Sequence, residues 1–286
     1  MIQRLKHLIK KYAVTFWVRS KLSPAVQLAQ RQIYLQHQER AARGFIPPLS
    51  DTGFKVFSQY EEDGLLLFIF AMIGMPHRTF VDIGSNDGIN SNCANLALHF
   101  GWHGLFIDAD PQVIERGRYF YKRYPDPWSF PPVFVQAKVT RENINTLISE
   151  AGFSGDVDLL SVDIDGNDYW IWDALEVIRP RVVIIETHVE FGLENIVVPY
   201  DPNYVFPGRH PVYHGASPVA MVALGRRKGY RFVGANAFGH NALFVREDLG
   251  VDTLPEAEAT VMLRHPSTKA HQHRFEAVRD WEYVRG

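Results

Sequence analysis

A single cysteine, Cys93, occurs in 286 residues, which excludes an internal disulfide framework and suits a reducing compartment. No apolar run approaches the roughly 20 residues that a membrane span requires. The N-terminus also lacks an apolar signal segment with a small-residue cleavage site. These absences together lead us to expect a cytoplasmic protein. Net charge is only −2, so no whole-molecule field draws the chain to nucleic acid. There is no internal repeat and no low-complexity tract, and the dinucleotide fingerprint G-x-G-x-x-G is missing. What remains is a chain long enough for one large α/β domain with appendages.

Acidic residues are missing from the first part of the chain, where none precedes Glu39. Ile2, Leu5, Leu8, Ile9, Tyr12, Ala13, Phe16 and Trp17 recur there at helical spacing, among Arg4, Lys6, Lys10, Lys11, Arg19 and Lys21. A basic amphipathic segment of this kind lies on the inner, anionic face of a membrane, packs on its own domain or a second subunit, or stays unfolded. Residues 1–53 are therefore expected to form a helical N-terminal extension, bounded by Gly44 to Gly53 with Pro47 and Pro48. Residues 54–250 form the main domain, and 251–286 a charged helical tail carrying Trp281 and Tyr283.

Within the main domain, short β-forming runs end repeatedly in acids. Thr79 to Ile83 reads as a buried strand that delivers Asp82 and breaks into a turn at Gly84 and Gly88. A helix is expected from about Ile89 to His99, with Cys93 in a packing role. Glycines in such a turn let backbone approach a ligand and leave helix-start amides facing it. The spacing G-x-x-x-G suits a ligand without phosphates, held by amides, a carboxylate and the Asn86 and Asp87 side chains. Gly104 to Asp108 is the second strand, and Asp108 is placed to bind ribose hydroxyls. Asp110 and Pro111 open the following helix. Val133 to Val139 is a third strand and Asn143 to Ala151 a further helix.

The richest stretch follows. A strand, Leu159 to Ile164, runs into Asp163, Asp165, Asn167 and Asp168. Carboxylates so concentrated need a cation, a proton or a donor array, and oxygen ligands of this kind suit Mg²⁺, Ca²⁺ or Mn²⁺. The alternative is a capped turn with solvated acids. An EF-hand is excluded, because Ala174 stands where its closing glutamate belongs. Pro180 to His188 is a β-branched fifth strand with Glu186 and His188 at its carboxyl end, where they converge with Asp163. Glu190 to Pro218 then reads as a substrate wall or lid, carrying Tyr200, Tyr204, Phe206, Arg209, His210, Tyr213 and His214. A helix over Ala216 to Lys228 and strands Tyr230–Ala235 and Asn241–Arg246 complete the domain. Upstream, Ser58 with Glu61 or Glu62 forms a capping box for a helix over Leu65 to Ile73, and Gln59 and Tyr60 overlie the ligand at the glycine turn. The fold expected is Rossmann-like α/β: a seven-stranded, mostly parallel sheet with helices on both faces.

These motifs resemble class I S-adenosylmethionine (SAM) methyltransferases and, within them, the FkbM-like family, over Phe57 to Asp248. Ser58-Gln59 with Glu62-Asp63-Gly64, then Val81-Asp-Ile-Gly-Ser-Asn-Asp-Gly88, Phe106-Ile-Asp-Ala-Asp-Pro111, Ser161-Val-Asp-Ile-Asp-Gly166, Lys228-Gly-Tyr230 and Asn241-Ala-Leu-Phe-Val245 are similar to that family's motifs in order. Ser161 stands where the family has lysine, and Asp165 where it has glutamate. The resemblance implies SAM held by Gln59, Asp82, Gly84, Ser85, Asn86, Gly88, Asp108 and Ala109, with its adenine edge at Ala137 and Lys138. Val162 to Tyr169 is also similar to the metal-binding strand end of caffeoyl-CoA and TylF-type O-methyltransferases. That likeness implies Mg²⁺ or Mn²⁺ on Asp163, Glu186 and His188.

The expected reaction is O-methylation of a sugar hydroxyl of a glycan or glycan precursor. His188 would act as general base, Asp163 and Glu186 would hold a cation or orient the acceptor, and Asp165, Tyr204, His210, Tyr213 and His214 would contact the acceptor. Two other readings remain open. One is a glycosyltransferase using Asp163-Ile-Asp165 as a D-x-D metal clamp; the other is a non-catalytic methyltransferase-like partner in a glycan assembly.

Overall fold

The computed structural model describes residues 13, 14, 16, 18–124, 127 and 129–286. The basic apolar stripe expected over Ile2 to Tyr12, and Trp17, lies outside them. Seven strands form one sheet: β1 (Thr79–Ile83), β2 (His103–Asp108), β3 (Val133–Gln136), β4 (Gly155–Val162), β5 (Ile178–Glu186), β6 (Tyr230–Ala235) and β7 (Asn241–Arg246). Their order is β3-β2-β1-β4-β5-β7-β6. All pairs are parallel except those of β7, which runs antiparallel to β5 and β6. From β1 the chain winds outward through β2 to β3, then returns to β4 on the other side of β1. The sheet therefore has a topological switch point between β1 and β4, and a crevice opens beyond their carboxyl ends.

Alternation along the strands builds two cores. Phe80, Phe106 and Leu159 face one side, while Val81, Ile83, Leu105, Ile107, Leu160 and Val162 face the other. Helices α1 (Pro24–Ala42), α2 (Glu62–Ile73), α3 (Ala94–Phe100) and α4 (Pro111–Tyr121) contribute to the first core, and α5 (Ile144–Glu150), α6 (Asp168–Ala174) and α7 (Pro218–Arg227) to the second. Sequence-local caps fix several helix starts: Ser23, Asp110 and Ser217 accept amide protons from Val26, Gln112 and Ala220. In α1, Gln30 is buried and bonds His99 and Asn95, so this part of the N-terminal extension docks on the domain. Its outward Leu28 and Leu35 stay exposed. Among the described residues, no helix is long and apolar enough to cross a membrane.

Three local expectations differ. The helix after the glycine turn begins at Ala94, not near Ile89, because Asp87 Oδ1 takes the amides of Ile89 and Asn90, and Ser91 Oγ takes that of Cys93. Ser58 pairs reciprocally with Asp63, not with Glu61 or Glu62. Its Oγ accepts from the Asp63 amide, and Asp63 Oδ2 accepts from the amides of Val56, Phe57 and Ser58. The tail is not a continuous helix. It comprises two 3-10 turns and one short helix, α8 (Pro266–Gln272), punctuated by Pro255 and Pro266. Its Phe275 and Val278 pack with Phe191, Val212 and Tyr213 in a third apolar cluster.

One buried ion pair ties the sheet to the segment leading into β1. Asp158 on β4 is fully buried and accepts from Arg181 of β5 (3.0 Å) and from the amide of His77 (3.0 Å). Arg181 also donates to the carbonyls of Ile73 and Gly74. Removing one partner strands the other charge, so Asp158→Ala is expected to cost about 3–5 kcal/mol. Urea melts of the two proteins check this, and a loss below about 1 kcal/mol would mean the guanidinium reaches water.

Candidate active site

Gly84 makes the first contact of the site, with protein rather than ligand. A Cβ at this position would lie 1.7 Å from the Asp163 carbonyl oxygen, and its φ of +81° already favours glycine. The Asp163 amide donates to the Ile83 carbonyl at 2.9 Å, so the ends of β1 and β4 are locked together. Gly88 similarly admits the Phe106 ring, 2.9 Å from its own missing Cβ. The turn also consumes its own amides. Those of Gly84 and Ser85 donate to Ile107 O, Asn86 to Asp108 Oδ2, Asp87 to Asn86 Oδ1, Gly88 to Ser85 O, and Ile89 and Asn90 to Asp87 Oδ1. The expected ring of ligand-facing amides is therefore absent over 84–90.

Two lobes of one crevice meet above this turn, sharing Gly84, Asp108, Ala109, Ile164 and Asp165. One is a slot of about 300 Å³ walled by Ile107, Ala137, Val139, Ile164, Val205 and Phe206, with Lys138 at its edge. The other, about 510 Å³, is polar and bordered by Gln59, Asn86, Asn90, Asp163 and Glu186. Asp108 stands between them, its carboxylate already held by the amides of Asn86 (2.9 Å) and Asp110 (2.8 Å). Of the residues expected to hold a cofactor, Gln59, Gly84, Asn86, Asp108, Ala109, Ala137 and Lys138 border the crevice. Asp82, Ser85 and Gly88 do not. Asp82 is buried beneath the turn and accepts from Ser91 Oγ, and burial pushes its carboxyl up to about 6. Ser85 is buried with its hydroxyl 3.4 Å from Ile107 O. These three build the turn. Tyr60 packs against Phe238 and His240 instead of covering the crevice.

The acids after β4 divide by role. Asp168 is buried and accepts from the amides of Ile164 (2.8 Å) and Gly166 (2.9 Å), which closes the turn and holds Asp165 at φ +55°. Asn167 donates to the Asp201 carbonyl. Asp163 and Asp165 are left facing the crevice with Glu186, and one carboxylate oxygen from each lies within 4.8 Å of the others. Burial, then the charges of Asp168 and Asp165, pushes Asp163 up to about 8. Burial and Asp163 push Glu186 well above its ordinary value, and its Oε2 is buried without a hydrogen-bond partner among the described residues. Three convergent carboxylates with an orphaned oxygen fit a divalent cation or a shared proton.

His188 is not in that group, contrary to expectation. β5 ends at Glu186, and the His188 amide then bonds the Ala216 carbonyl as the chain enters a 3-10 turn. The ring is buried outside both lobes, with Nδ1 3.5 Å from Glu190 and its edge on His214 at 3.8 Å. It does not belong to the carboxylate group, where Asp165 takes the third place. Tyr204, Tyr213 and His214 line a further cavity of about 420 Å³. His210 does not, because its Nδ1 accepts the Val212 amide and its ring rests on Trp281. Ala137 and Lys138, expected along an adenine edge, border this slot, whereas Ile107, Ile164 and Val205 carry no signal in a sequence read for charge.

No protein-family model and no curated protein matches the chain. Solved structures of similar fold include an O-methyltransferase from Bacillus cereus in complex with SAH (15% identity over 76% of this chain and 89% of that one, TM-score 0.42). An O-methyltransferase family protein from Burkholderia thailandensis gives 11% identity, 77% and 71% coverage and a TM-score of 0.38. The methyltransferase CcbJ from Streptomyces caelestis gives 14%, 65% and 89%, and 0.41. At this level of likeness the chemistry is read from this chain's own residues.

In the folded, ligand-free state Asp163 and Glu186 keep protons that the unfolded chain releases, so their contribution to stability falls as pH rises from the ordinary Asp value of 3.8 through about 8, while His214, lowered to about 3 by burial, contributes in the opposite sense up to 6.5. Asp163→Asn is expected to flatten that fall. Calorimetric melts of both proteins in chelator across this window check it, and the same pH slope in wild type and Asp163→Asn would overturn the placement of these acids.

Proposed function

We propose that the protein is a SAM-dependent O-methyltransferase acting on a sugar hydroxyl of a glycan or glycan precursor, with Mg²⁺ or Mn²⁺ at Asp163, Asp165 and Glu186. The observation that carries the reading is the pairing of an apolar slot with a polar lobe across one strand-end carboxylate, Asp108. An adenosyl group matches this division. Its flat ring suits the slot beside Ile107, Val139 and Phe206, its ribose hydroxyls suit Asp108, and its charged amino-acid part suits the polar lobe with Gln59, Asn86 and Asn90. The consumed amides at 84–90 argue the same way, since a diphosphate would need donors there. That point weighs against a nucleotide-sugar or a dinucleotide, and the D-x-D reading gives Asp108 and the slot no use.

SAM, when bound, supplies a methyl group electrophilic enough to need only an aligned nucleophile. The chain must therefore orient a hydroxyl, exclude water and take up a proton. With no cation bound, Asp163 or Glu186 would suit the last task once ionised, because burial and neighbouring carboxylates raise their basicity. A cation on the same oxygens would displace their protons and supply Lewis-acid assistance in place of that base, the hydroxyl proton then passing to water. The sugar class rests on the tyrosine-bearing loop over the crevice and on the resemblance to the FkbM-like family.

Calorimetric titration tests the reading. SAM and S-adenosylhomocysteine (SAH) should bind, while NAD and UDP-sugars should not. Asp108→Ala should weaken SAH by about 10–100-fold, the value of a charge-assisted hydrogen bond. Asp163→Asn should leave SAH affinity nearly unchanged and lower methyl transfer by about 100-fold or more. Equal SAH affinity in wild type and Asp108→Ala would count against the assignment.

A further inference from the structure

The wall of the polar lobe carries charge of one sign. Asp108, Asp163, Asp165 and Glu186 border it beside three amide side chains, and among the described residues no lysine, arginine or histidine does. Lys138 belongs to the slot. Arg116 reaches Asn86 Oδ1 at 3.2 Å, but its guanidinium is paired with Asp87 at 2.6 Å. The backbone amides of 84–90 that could receive an anion are spent within the turn. Phosphate sites are built the other way, from arginine, lysine or free helix-start amides.

The same lobe must receive the acceptor. Asp163 and Glu186, which would take the hydroxyl proton or a cation, border this lobe and neither the slot nor the 420 Å³ cavity. Asp108 and Asp165 border lobe and slot alike, so a sulfonium joining a ring in the slot to an amino-acid part in the lobe opens onto these carboxylates. The volume, about 510 Å³, leaves room for one small unit beside that amino-acid part. Charge then selects the unit. With all four carboxylates ionised, a divalent cation offsets two and the sulfonium one more, the amino-acid part being a zwitterion. The wall supplies no surplus positive charge. A phosphate on the anomeric carbon of the reacting sugar would stand one ring away from the reacting hydroxyl, inside the Debye length of about 8 Å at physiological ionic strength. It would meet uncompensated charge of its own sign.

We propose that the acceptor unit binds in the polar lobe and bears no phosphate or carboxylate, so that the protein methylates a sugar already joined in a glycoside. The reaction that supplies this substrate is then a glycosyl transfer, which releases the sugar from its phosphate or diphosphate. This rests on the methyl-transfer reading, and it selects the glycan over its activated precursor. In the glycosyl transfer the bond from anomeric carbon to phosphate oxygen breaks, and a bond to a hydroxyl oxygen of the growing glycan forms. In the methyl transfer the acceptor O–H bond breaks, an O–CH₃ bond forms and the sulfonium becomes the neutral thioether of SAH. The proton passes to an ionised carboxylate of the lobe or, with a cation bound, to water.

Matched acceptors with tritiated SAM test it: methyl glycosides of neutral hexoses and deoxyhexoses against the corresponding sugar 1-phosphates, which differ only in the anomeric substituent. The glycosides should show kcat/KM about 10–100-fold above the phosphates. That ratio should narrow between about 0.1 M and about 1 M salt, as the screening length falls from about 10 Å to about 3 Å. Asn90→Lys, at an exposed residue bordering the lobe, should shift the ratio toward the phosphates by about tenfold. Equal or faster turnover of the phosphates overturns the charge selection, and so does a ratio indifferent to salt, which would be steric. A ratio unmoved in Asn90→Lys overturns the placement of the acceptor in this lobe. Protein that binds SAH yet methylates neither series overturns the sugar unit, whereas failure to bind SAM or SAH removes the methyl-transfer reading itself.

Discussion

A carbonyl oxygen sits where any residue other than glycine at position 84 would carry its side chain. That contact, Gly84 against Asp163, fixes the spacing of β1 and β4 at the switch point of the sheet. Everything around the crevice takes its position from it. On the β1 side the chain must turn at once with positive φ, which swings the 84–90 segment onto the Ile107 carbonyl and Asp108. On the β4 side the turn cannot retreat, so its acids stay beside the crevice. The glycine is thus required by the protein's own backbone, and its effect on a ligand is indirect.

The acids after β4 exist at a cost that the fold distributes unevenly. Asp168 recovers its cost by gathering two amides of the turn, as a structural cap does. Asp163 and Glu186 have no such return: they are driven upward in pKa by burial and by neighbouring carboxylates, and one Glu186 oxygen has no hydrogen-bond partner among the described residues. A pure scaffold would replace them with apolar residues. Their retention beside an open crevice is the strongest mark of chemistry in the molecule.

Much of this was legible beforehand, and the exceptions share a cause. Strand identity, the seven-stranded sheet and the strand-end acids follow from period and composition; β6 and β7 fall over the residues expected, Tyr230–Ala235 and Asn241–Arg246. Hidden were facts about direction. Asp82 and Asp108 both end strands, but Asp82 is covered by the turn that follows it, through Ser91. Glu186 and His188 are two residues apart, as on one face of a strand, yet the strand stops between them and His188 turns under the Glu190–His214 side. Asp165 gained its place because Asp168 bends the turn. Each depends on long-range hydrogen bonds that no local pattern encodes.

The loop over the crevice carries little regular structure, yet Tyr204 is held firmly, and the restraint comes from distant parts of the chain. Val197 and Val284 exchange backbone hydrogen bonds of 2.8 and 2.9 Å, Tyr213 donates to the Glu282 carbonyl, and Tyr200 donates to Glu142. Near the loop's tip, Val205 and Phe206 remain 70% and 51% exposed while bordering the slot. The loop is therefore anchored at its flanks and open at its tip. The loop and tail wall the second cavity, while the ends of β1, β2 and β4 keep the slot and Asp108 in place. The two parts differ in what holds them: strand pairing along its length fixes the sheet edge, whereas the loop is held at its flanks and at Tyr204.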